Sequence, residues 1–276
     1  MNDDYGFRFG GISRLYGAVA ATAFADAHVA VVGIGGVGSW GAEALARSGI
    51  GKITLIDLDD ICTSNINRQI HAMDGQVGRP KVESMAERIK AINPTCEVNA
   101  ISAFVTEKNV AELMLKEFDY VLDAIDSVKH KCAMIAYCRR NKIPLITIGG
   151  AGGQTDPLQI KVADLSKTEQ DPLLAKTRNQ LRRQYGFPSN LKRRFSVEAV
   201  YSTEQLVYPS GDGEVCHQKP DNGESVRLDC RSGFGAVTVV TGAFAFVAVS
   251  RILKKIASKA QRRADEERIT SPGCAE

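Results

Sequence analysis

Val29–Asp57 reads VAVVGIGGVGSWGAEALARSGIGKITLID, and its pattern decides the fold. Val29–Val32 is a short apolar run of β type, followed by Gly33, Gly35, Gly36 and Gly38 spaced G-x-G-G-x-G. Trp40–Ser48 has helical composition, and Ile53–Ile56 is a second buried strand with Asp57 at its tip. Strand, glycine turn, helix and strand in this order form a nucleotide site. Glycines let the backbone approach phosphates, a helix N-terminus offers free N–H groups, and an acid at the next strand end can accept both ribose hydroxyls. The pattern alone does not choose between a dinucleotide oxidoreductase and an ATP-using activating enzyme.

Outward from this stretch, the chain alternates strands and helices. Leu58-Asp59-Asp60 and Asn65-Ile66-Asn67-Arg68-Gln69 fill the loop just past the strand end, where ligands collect in α/β sheets. Arg68 can clamp a phosphate with two donors. A helix runs from Pro80 through Val82, Met85, Ile89 and Ile92 to a stop at Asn93-Pro94. Lys81 at its start opposes the helix dipole, which points to an anionic partner; the plain alternative is a solvated lysine. Glu97–Ile101 reads as a strand, Thr106–Leu115 as a helix and Tyr120–Ala124 as a strong strand. Asp123 and Asp126 suit Mg²⁺, which takes one or two carboxylates besides phosphate oxygens and water. Asp126 can equally cap the helix over Ser127–Arg139. Ile143–Ile148 is a further buried strand, glycines crowd residues 149–153, and Gln159–Ala163 is a late strand. The predicted fold class is α/β, a doubly wound, mostly parallel sheet of Rossmann type with late antiparallel additions.

The C-terminal third differs in character. Pro172–Val197 carries Lys176, Arg178, Arg182, Arg183, Lys192, Arg193 and Arg194 and no acid. Tyr185 and Phe187 lie between the cations, a composition that fits RNA better than a merely solvated face. Tyr201–Cys230 is rich in Pro and Gly and reads as a flap over the site. Residues 234–250 are uncharged and flanked by Arg251, Lys254 and Lys255. That is close to the roughly 17 residues of the shortest spanning helices. A buried core or dimer-interface helix is the preferred reading, with peripheral membrane contact as the alternative. At the other end, residues 1–27 form an arm with an apolar helical pattern (Leu15, Val19, Phe24) and two arginines, Arg8 and Arg14.

Composition bounds the class. A chain of 276 residues can bury a full core. Its net charge of +3 does not by itself imply nucleic acid. The seven cysteines are scattered with no C-x-x-C pair, so no zinc is expected. Free thiols and an N-terminus without an apolar run lead to an expected cytoplasmic location.

With the glycine turn, Asp57, Asn65-x-Asn67-Arg68-Gln69, Lys81 and Asp123-x-x-Asp126 in order, the chain resembles the ubiquitin-activating-like adenylating superfamily, which includes the molybdopterin- and thiamine-pathway adenylyltransferases. The resemblance implies an ATP site of Gly33, Gly35, Gly36, Gly38, Asp57, Asp59, Asn65, Asn67, Arg68, Gln69, Lys81, Asp123 and Asp126. It implies that Arg68 and Lys81 hold the triphosphate, that Asp126 binds Mg²⁺, and that an arm arginine, Arg14 or else Arg8, enters the site of a homodimer partner. The stretches RFGGISRLYG, NINRQIHA, AIDSVKHK, TIGGAGGQTDP, STEQLVYP and DCRSGFGAVT are more closely similar to the branch of that superfamily that dehydrates threonylcarbamoyladenosine in tRNA to its cyclic form. The implied organisation is an arm (1–27), an adenylation core (28–165), an extension (166–258) and a charged tail (259–276). The RNA contact is expected at Arg178, Arg182, Arg183, Lys192, Arg193 and Arg194. The chain departs from many relatives in lacking paired C-x-x-C motifs, which disfavours a protein-modifier substrate. Rival readings are adenylation of a ubiquitin-like sulfur carrier, a sulfur-relay role in which Cys230 serves a cysteine-desulfurase or sulfur-acceptor partner, and a dinucleotide oxidoreductase. A buried structural Cys230 is the plainer reading.

Overall fold

The computed structural model describes residues 3–210, 213–218 and 235–270. Cys230 and most of the expected flap's C-terminal half lie outside these residues. The chain opens with two helices, α1 (Asp3–Tyr16) and α2 (Ala18–Asp26). They are separated at Gly17, whose φ of 87° is open to glycine and costly for other residues. The core then follows as β1 (His28–Val32), α3 (Gly38–Arg47), β2 (Lys52–Ile56), α4 (Lys81–Ile92), β3 (Glu97–Ile101), α5 (Val110–Leu113), β4 (Tyr120–Asp123), α6 (Val128–Arg140) and β5 (Leu145–Ile148). The remainder is β6 (Ile160–Asp164), α7 (Pro172–Gln184), β7 (Glu198–Ser202), the short pair β8 (Tyr208–Pro209) and β9 (Val215–Cys216), and the long helix α8 (Thr238–Thr270).

Seven strands form one sheet in the order β3-β2-β1-β4-β5-β7-β6. All neighbours are parallel except β6, which runs antiparallel to β7 at the edge. This is the doubly wound, mostly parallel sheet that the strand pattern predicts. Val31 lies opposite Leu55 on one side and Leu122 on the other. Every residue of β1 is buried because helices cover both faces, which explains its unbroken apolar run. One face packs α2, α3, α4 and α8 around Phe24, Leu45, Met85 and Phe244. The other packs α5, α6 and α7 around Met134, Ile135 and Leu181.

Three boundaries differ from the sequence reading. The helix expected over Thr106–Leu115 shrinks to α5, because the Asn109 carboxamide oxygen accepts from Thr106 N at 2.7 Å and from its hydroxyl at 2.9 Å, fixing a turn there. The division at residue 165 cuts the sheet, since β7 from the supposed extension inserts between β5 and β6. The division at residue 258 falls within α8, and the supposed tail continues that helix to Thr270.

The apolar 234–250 stretch supplies the first half of α8, where Val240, Phe244, Ala245, Ala248 and Val249 are buried against α2 and α3. No described helix is long and apolar enough to cross a membrane. Phe24 on α2 is fully buried and stacks edge-on against Tyr16 at 5.3 Å between ring centroids. Phe24→Ala should therefore lower unfolding free energy by about 3–5 kcal/mol, read as a shifted urea midpoint at unchanged slope. A loss under ~1 kcal/mol would mean that the arm does not share the core's cooperativity.

Candidate nucleotide-activating site

The C-terminal ends of β1, β2, β4 and β5 converge on a cleft of about 1170 Å³ lined by Gly33, Gly35, Gly36, Asp57, Lys81 and Asp126 among others. It opens where the order reverses between β1 and β4, the place where ligands bind in such sheets.

The four glycines of the turn divide into two roles. A Cβ on Gly38 would lie 1.7 Å from the Gly33 carbonyl oxygen, and one on Gly33 would meet the Ala124 carbonyl oxygen at 2.8 Å. Gly38 is required by the packing of the turn on itself and Gly33 by its packing on the loop after β4, and Gly38 does not line the cleft. Gly35 and Gly36 face the open volume and leave room for a close backbone approach, with the Arg68 side chain beside Gly36.

Asp57 is buried at the strand tip. Its Oδ2 accepts from Ile34 N at 2.6 Å and its Oδ1 from Asp59 N at 2.9 Å. Burial pushes its carboxyl up, while the nearby Lys81 charge and both N–H bonds pull it down. Lys81 is the first residue of α4, behind Pro80, and is itself buried. Its Nζ lies 2.8 Å from Asp59 Oδ2, so the anionic partner inferred from its position is the acid across the cleft loop. The Asp59 carboxylate is half-exposed and remains open to the cleft on its other side.

The Asn65–Gln69 segment is more specialised than its composition suggests. Asn65 is buried and its carboxamide oxygen accepts from Cys62 N at 3.0 Å, capping the single turn Thr63–Asn65. Asn67 donates to Ala236 O at 2.7 Å and accepts from Arg68 Nη1 at 3.0 Å. Arg68 Nη1 also donates to Ser64 O at 2.8 Å, and Trp40 Nε1 holds the Arg68 carbonyl at 3.0 Å. Gln69 is buried in the cleft lining with its Oε1 unpartnered among the described residues. Asn65 and Asn67 thus shape the loop, whereas Arg68 and Gln69 keep hydrogen-bonding capacity.

The two aspartates after β4 separate sharply. Asp123 is fully buried and does not line the cleft. Its Oδ2 pairs with Lys131 Nζ at 2.9 Å and accepts from the Thr147 hydroxyl at 2.6 Å. That corrects the expectation of a direct ATP or metal role for Asp123. Asp126 is exposed to the cleft and has no hydrogen bond or ion pair among the described residues. It is not the helix cap either, since Ser127 occupies that position without a side-chain bond. A free carboxylate facing a phosphate-sized cleft fits Mg²⁺, which keeps most of its shell as water and phosphate oxygens. Among the described residues no group of three or more His, Cys, Asp and Glu gathers to hold a metal.

Arg14 is exposed on α1 and is absent from the cleft of its own chain. Arg8 pairs with Asp4 at 2.6 Å. His130, Cys62 and Thr241 line the cleft and were not singled out by sequence. His130 had a usable signal, being one turn beyond Asp126 at the start of α6.

The basic stretch also resolves unevenly. Arg178 donates to the Thr168 hydroxyl and Arg182 to Pro188 O at 3.3 Å, with its guanidinium 5.2 Å over Phe195. Phe187 packs against Phe195 at 4.9 Å, and the Tyr185 hydroxyl bonds Glu107 at 2.5 Å. Arg178, Arg182 and these aromatics thus have partners within the protein. Arg183, Lys192, Arg193 and Arg194 are exposed with no side-chain partner among the described residues.

A second groove, of about 680 Å³, lies at the opposite end of the sheet, where β4, β5 and β7 begin. Arg194 meets Arg251, Lys255, Lys259 and Arg262 of α8 there. Arg251 pairs with Glu198 at 2.6 Å and Lys259 with Asp119 at 3.2 Å. Arg194, Lys255 and Arg262 have no partner among the described residues.

Comparison with known proteins adds the following. Residues 12–271 match the ThiF family. The chain is 59% identical over 263 residues to the tRNA threonylcarbamoyladenosine dehydratase of Escherichia coli K12, covering 95% of this chain and 98% of that protein. It is 46% identical over 182 residues to the Bacillus subtilis enzyme of that name, covering 66% and 69% of the two chains. The crystal structure of the E. coli enzyme in complex with ATP superposes with a TM-score of 0.85 at 56% identity, covering 95% of this chain and 98% of that one. A complex of the same enzyme with AMP gives the same values.

One pH dependence of stability arises beneath the glycine turn. His71, buried below the glycine turn, bonds Ile34 O through Nε2 at 2.9 Å, and its Nδ1 is unpartnered among the described residues. Burial, with Lys81 and Arg88 nearby, holds its pKa below 6.5, against the opposing pull of the Ile34 carbonyl. Below that value the unfolded chain binds the proton that the folded chain refuses. Stability should therefore be fully present above about pH 6.5 and fall as pH drops toward the folded pKa, by at most about 1.4 kcal/mol per pH unit for this group. Urea midpoints between pH 7.5 and 5.5 should fall less steeply in His71→Asn than in the parent. Equal slopes would exclude His71 as a contributor.

Proposed function

The chain belongs to the ThiF family, and on that premise we propose that it dehydrates N6-threonylcarbamoyladenosine in tRNA to the cyclic nucleoside at the expense of ATP. The carrying observation is the convergence on one cleft of the glycine turn, Lys81, Arg68 and the Asp126 carboxylate, which has no partner among the described residues. The near full-length similarity to dehydratases supports the choice of acceptor.

The reaction is an adenylation followed by ring closure. The threonyl carboxylate attacks the α-phosphorus, a P–O bond forms, and the α–β bridge breaks to release pyrophosphate. A ureido nitrogen of the same substrate then attacks the acyl carbon. The new C–N bond closes a five-membered ring, that nitrogen loses its proton, and AMP departs with the former carboxylate oxygen. The substrate loses one water in total, balanced by conversion of ATP and water to AMP and pyrophosphate. Ring closure is intramolecular, where effective molarities reach roughly 10⁵ M or more, so no enzyme thiol is required.

The residues take distinct parts. Gly35 and Gly36 admit the phosphates to the backbone, and the N-terminus of α3 adds its N–H groups. Asp57 accepts from the ribose. Lys81, held by Asp59, and Arg68, released from Ser64 O, take charge on the phosphates as it develops. Asp126 would hold Mg²⁺, which when bound supplies further charge neutralisation at the phosphates. Gln69 Oε1, buried without a partner among the described residues, offers an acceptor to the nucleotide. A homodimer is proposed from the exposed Phe7 and Leu15 on α1 and Val239 and Phe246 on α8. In it Arg14, between Phe7 and Leu15 on the same helix, reaches the partner's cleft. The proposed location is the cytoplasm, where tRNA is available.

The decisive test is chemical. Purified protein with ATP, Mg²⁺ and tRNA carrying the modified nucleoside should release AMP and pyrophosphate, and the digested nucleoside should lose the mass of one water. Asp126→Ala should cut the rate by at least about 100-fold, the scale of losing one transition-state charge partner. An unchanged nucleoside with the parent protein would reject the dehydratase reading.

RNA contact is proposed at Arg183, Lys192, Arg193 and Arg194 and at the groove cations Lys255 and Arg262. The groove lies at the opposite end of the strands from the cleft, so it would meet the body of the tRNA and not the modified loop. Replacing Arg194, Lys255 and Arg262 by alanine should weaken full-length tRNA binding and reduce the slope of log K against log salt by about 2–3, at roughly 0.9 per lost phosphate contact. Binding of an anticodon stem-loop should be unchanged. An equal loss for both RNAs, or no loss for either, would reject this placement.

A further inference from the structure

Beneath the cleft lies a cation that the reaction does not touch. Lys131 on α6 is fully buried, as is Asp123 at the end of β4. Lys131 Nζ lies 2.9 Å from Asp123 Oδ2 and 3.1 Å from the Thr147 hydroxyl on β5. That hydroxyl donates to the same Asp123 oxygen at 2.6 Å. The other carboxylate oxygen, Oδ1, accepts from Ile125 N at 3.1 Å. The lysine therefore fixes one oxygen of Asp123 while the second oxygen holds the backbone of the Ala124–Asp126 loop.

A second cleft loop is held by another buried acid. Asp171, buried at the start of α7, accepts from Leu174 N at 2.8 Å and from Gly150 N at 2.9 Å. Burial pushes its carboxyl up, and Lys131 is among the groups that pull it back down. Gly149 leaves no room beside that carboxylate, since a Cβ there would fall 1.9 Å from Asp171 Oδ2. Gly149, Gly150 and Ala151 line the cleft opposite the Asp126 loop.

Stability does not account for this arrangement. Removing two charges from water costs several kcal/mol per ion, and buried pairs can often be replaced by apolar residues at no loss. What an apolar trio could not supply is an oriented carboxylate holding the Ile125 N–H. Without it, the turn between β4 and α6 is free to swing, and Asp126 can move to cap the helix that starts beside it, the competing use of an acid at this position.

We propose that Lys131 is a positioning residue for nucleotide activation. Acting through Asp123, it fixes the loop that presents Asp126 to the divalent cation of the bound nucleotide. The proposal rests on the reading of the cleft as an ATP site with Asp126 as metal ligand, and it does not depend on the RNA substrate.

The test is equilibrium binding of ATP to the full chain by calorimetry, with and without Mg²⁺, in the parent protein, Lys131→Met and Lys131→Arg. Lys131→Met should bind metal-free ATP within about twofold of the parent yet lose at least tenfold of the gain that Mg²⁺ confers. Lys131→Arg should recover most of that gain, because a guanidinium can still reach the Asp123 oxygen. Lys131→Met leaves Asp123 buried and unpaired, so its thermal midpoint is recorded alongside. If it does not fold, the charge-neutral Asp123→Asn/Lys131→Met variant takes its place, with the same loss of Mg²⁺ enhancement expected. A parent-like Mg²⁺ effect in whichever folded variant is measured would overturn the proposal. So would equal weakening with and without Mg²⁺, which marks a general structural role. Failure of the parent to bind ATP would overturn the cleft reading itself.

Discussion

The cleft depends on the Asp57 carboxylate. One oxygen takes the Ile34 N–H and so sets the start of the glycine turn, and the other takes the Asp59 N–H and sets the loop after β2. Asp59 in turn carries Lys81, whose backbone N–H returns to the Asp59 carbonyl at 3.1 Å. The glycine turn, the proposed ribose acceptor and the proposed phosphate-binding cation are thereby placed by one buried acid and its immediate neighbour. Burying that acid is unfavourable in isolation, and the opposing N–H bonds and lysine charge are what make it tolerable.

The rest of the site is set by where strands end. Parallel strands carry their loops to the same edge, so residues far apart in sequence meet without any long-range specificity in the loops themselves. Asp123 and Asp126 show how steep the change is at that edge. Three residues apart, one is sealed against Lys131 and Thr147 and the other faces the cleft with no partner among the described residues. The sheet's other end has a different character, with α8 and the segment before β7 contributing cations to the groove there. The proposed nucleotide chemistry and the proposed polyanion contact thus lie at opposite ends of the sheet.

Much of this was legible from the amino-acid order because its signals are local. The β1–α3–β2 unit is encoded by an apolar run, glycine spacing and an acid at fixed offset, all within residues 29–57. Lys81 was legible for the same reason, as a cation on the wrong end of a helix. What was not legible depends on contacts that only the folded chain creates. Nothing near Asp123 announces that Thr147 and Lys131 will close around it, and the basic stretch gives no sign that Arg178 and Arg182 will bond Thr168 and Pro188. Charge density along a segment reports composition, whereas availability for RNA is decided by which side chains find protein partners first. The insertion of β7 between β5 and β6 was hidden likewise, because strand order is a tertiary property.

The start of α8 shows that the chain's last helix belongs to the site as well as to the core. Ala236 O receives the Asn67 side chain at 2.7 Å, and the Thr238 hydroxyl donates to Asn67 O at 2.5 Å. Thr241 lines the cleft near Gly36. One turn further on, Phe246 stacks edge-on with Trp40 at 6.0 Å, and Trp40 in turn holds the Arg68 carbonyl. Drawing this apolar segment into a lipid surface would remove a wall of the cleft, loosen the Arg68 loop and expose Val240, Phe244 and Ala248 together. Its hydrophobicity therefore follows from two neighbours inside the protein, the sheet beneath it and the nucleotide loop at its tip, and needs no membrane to explain it.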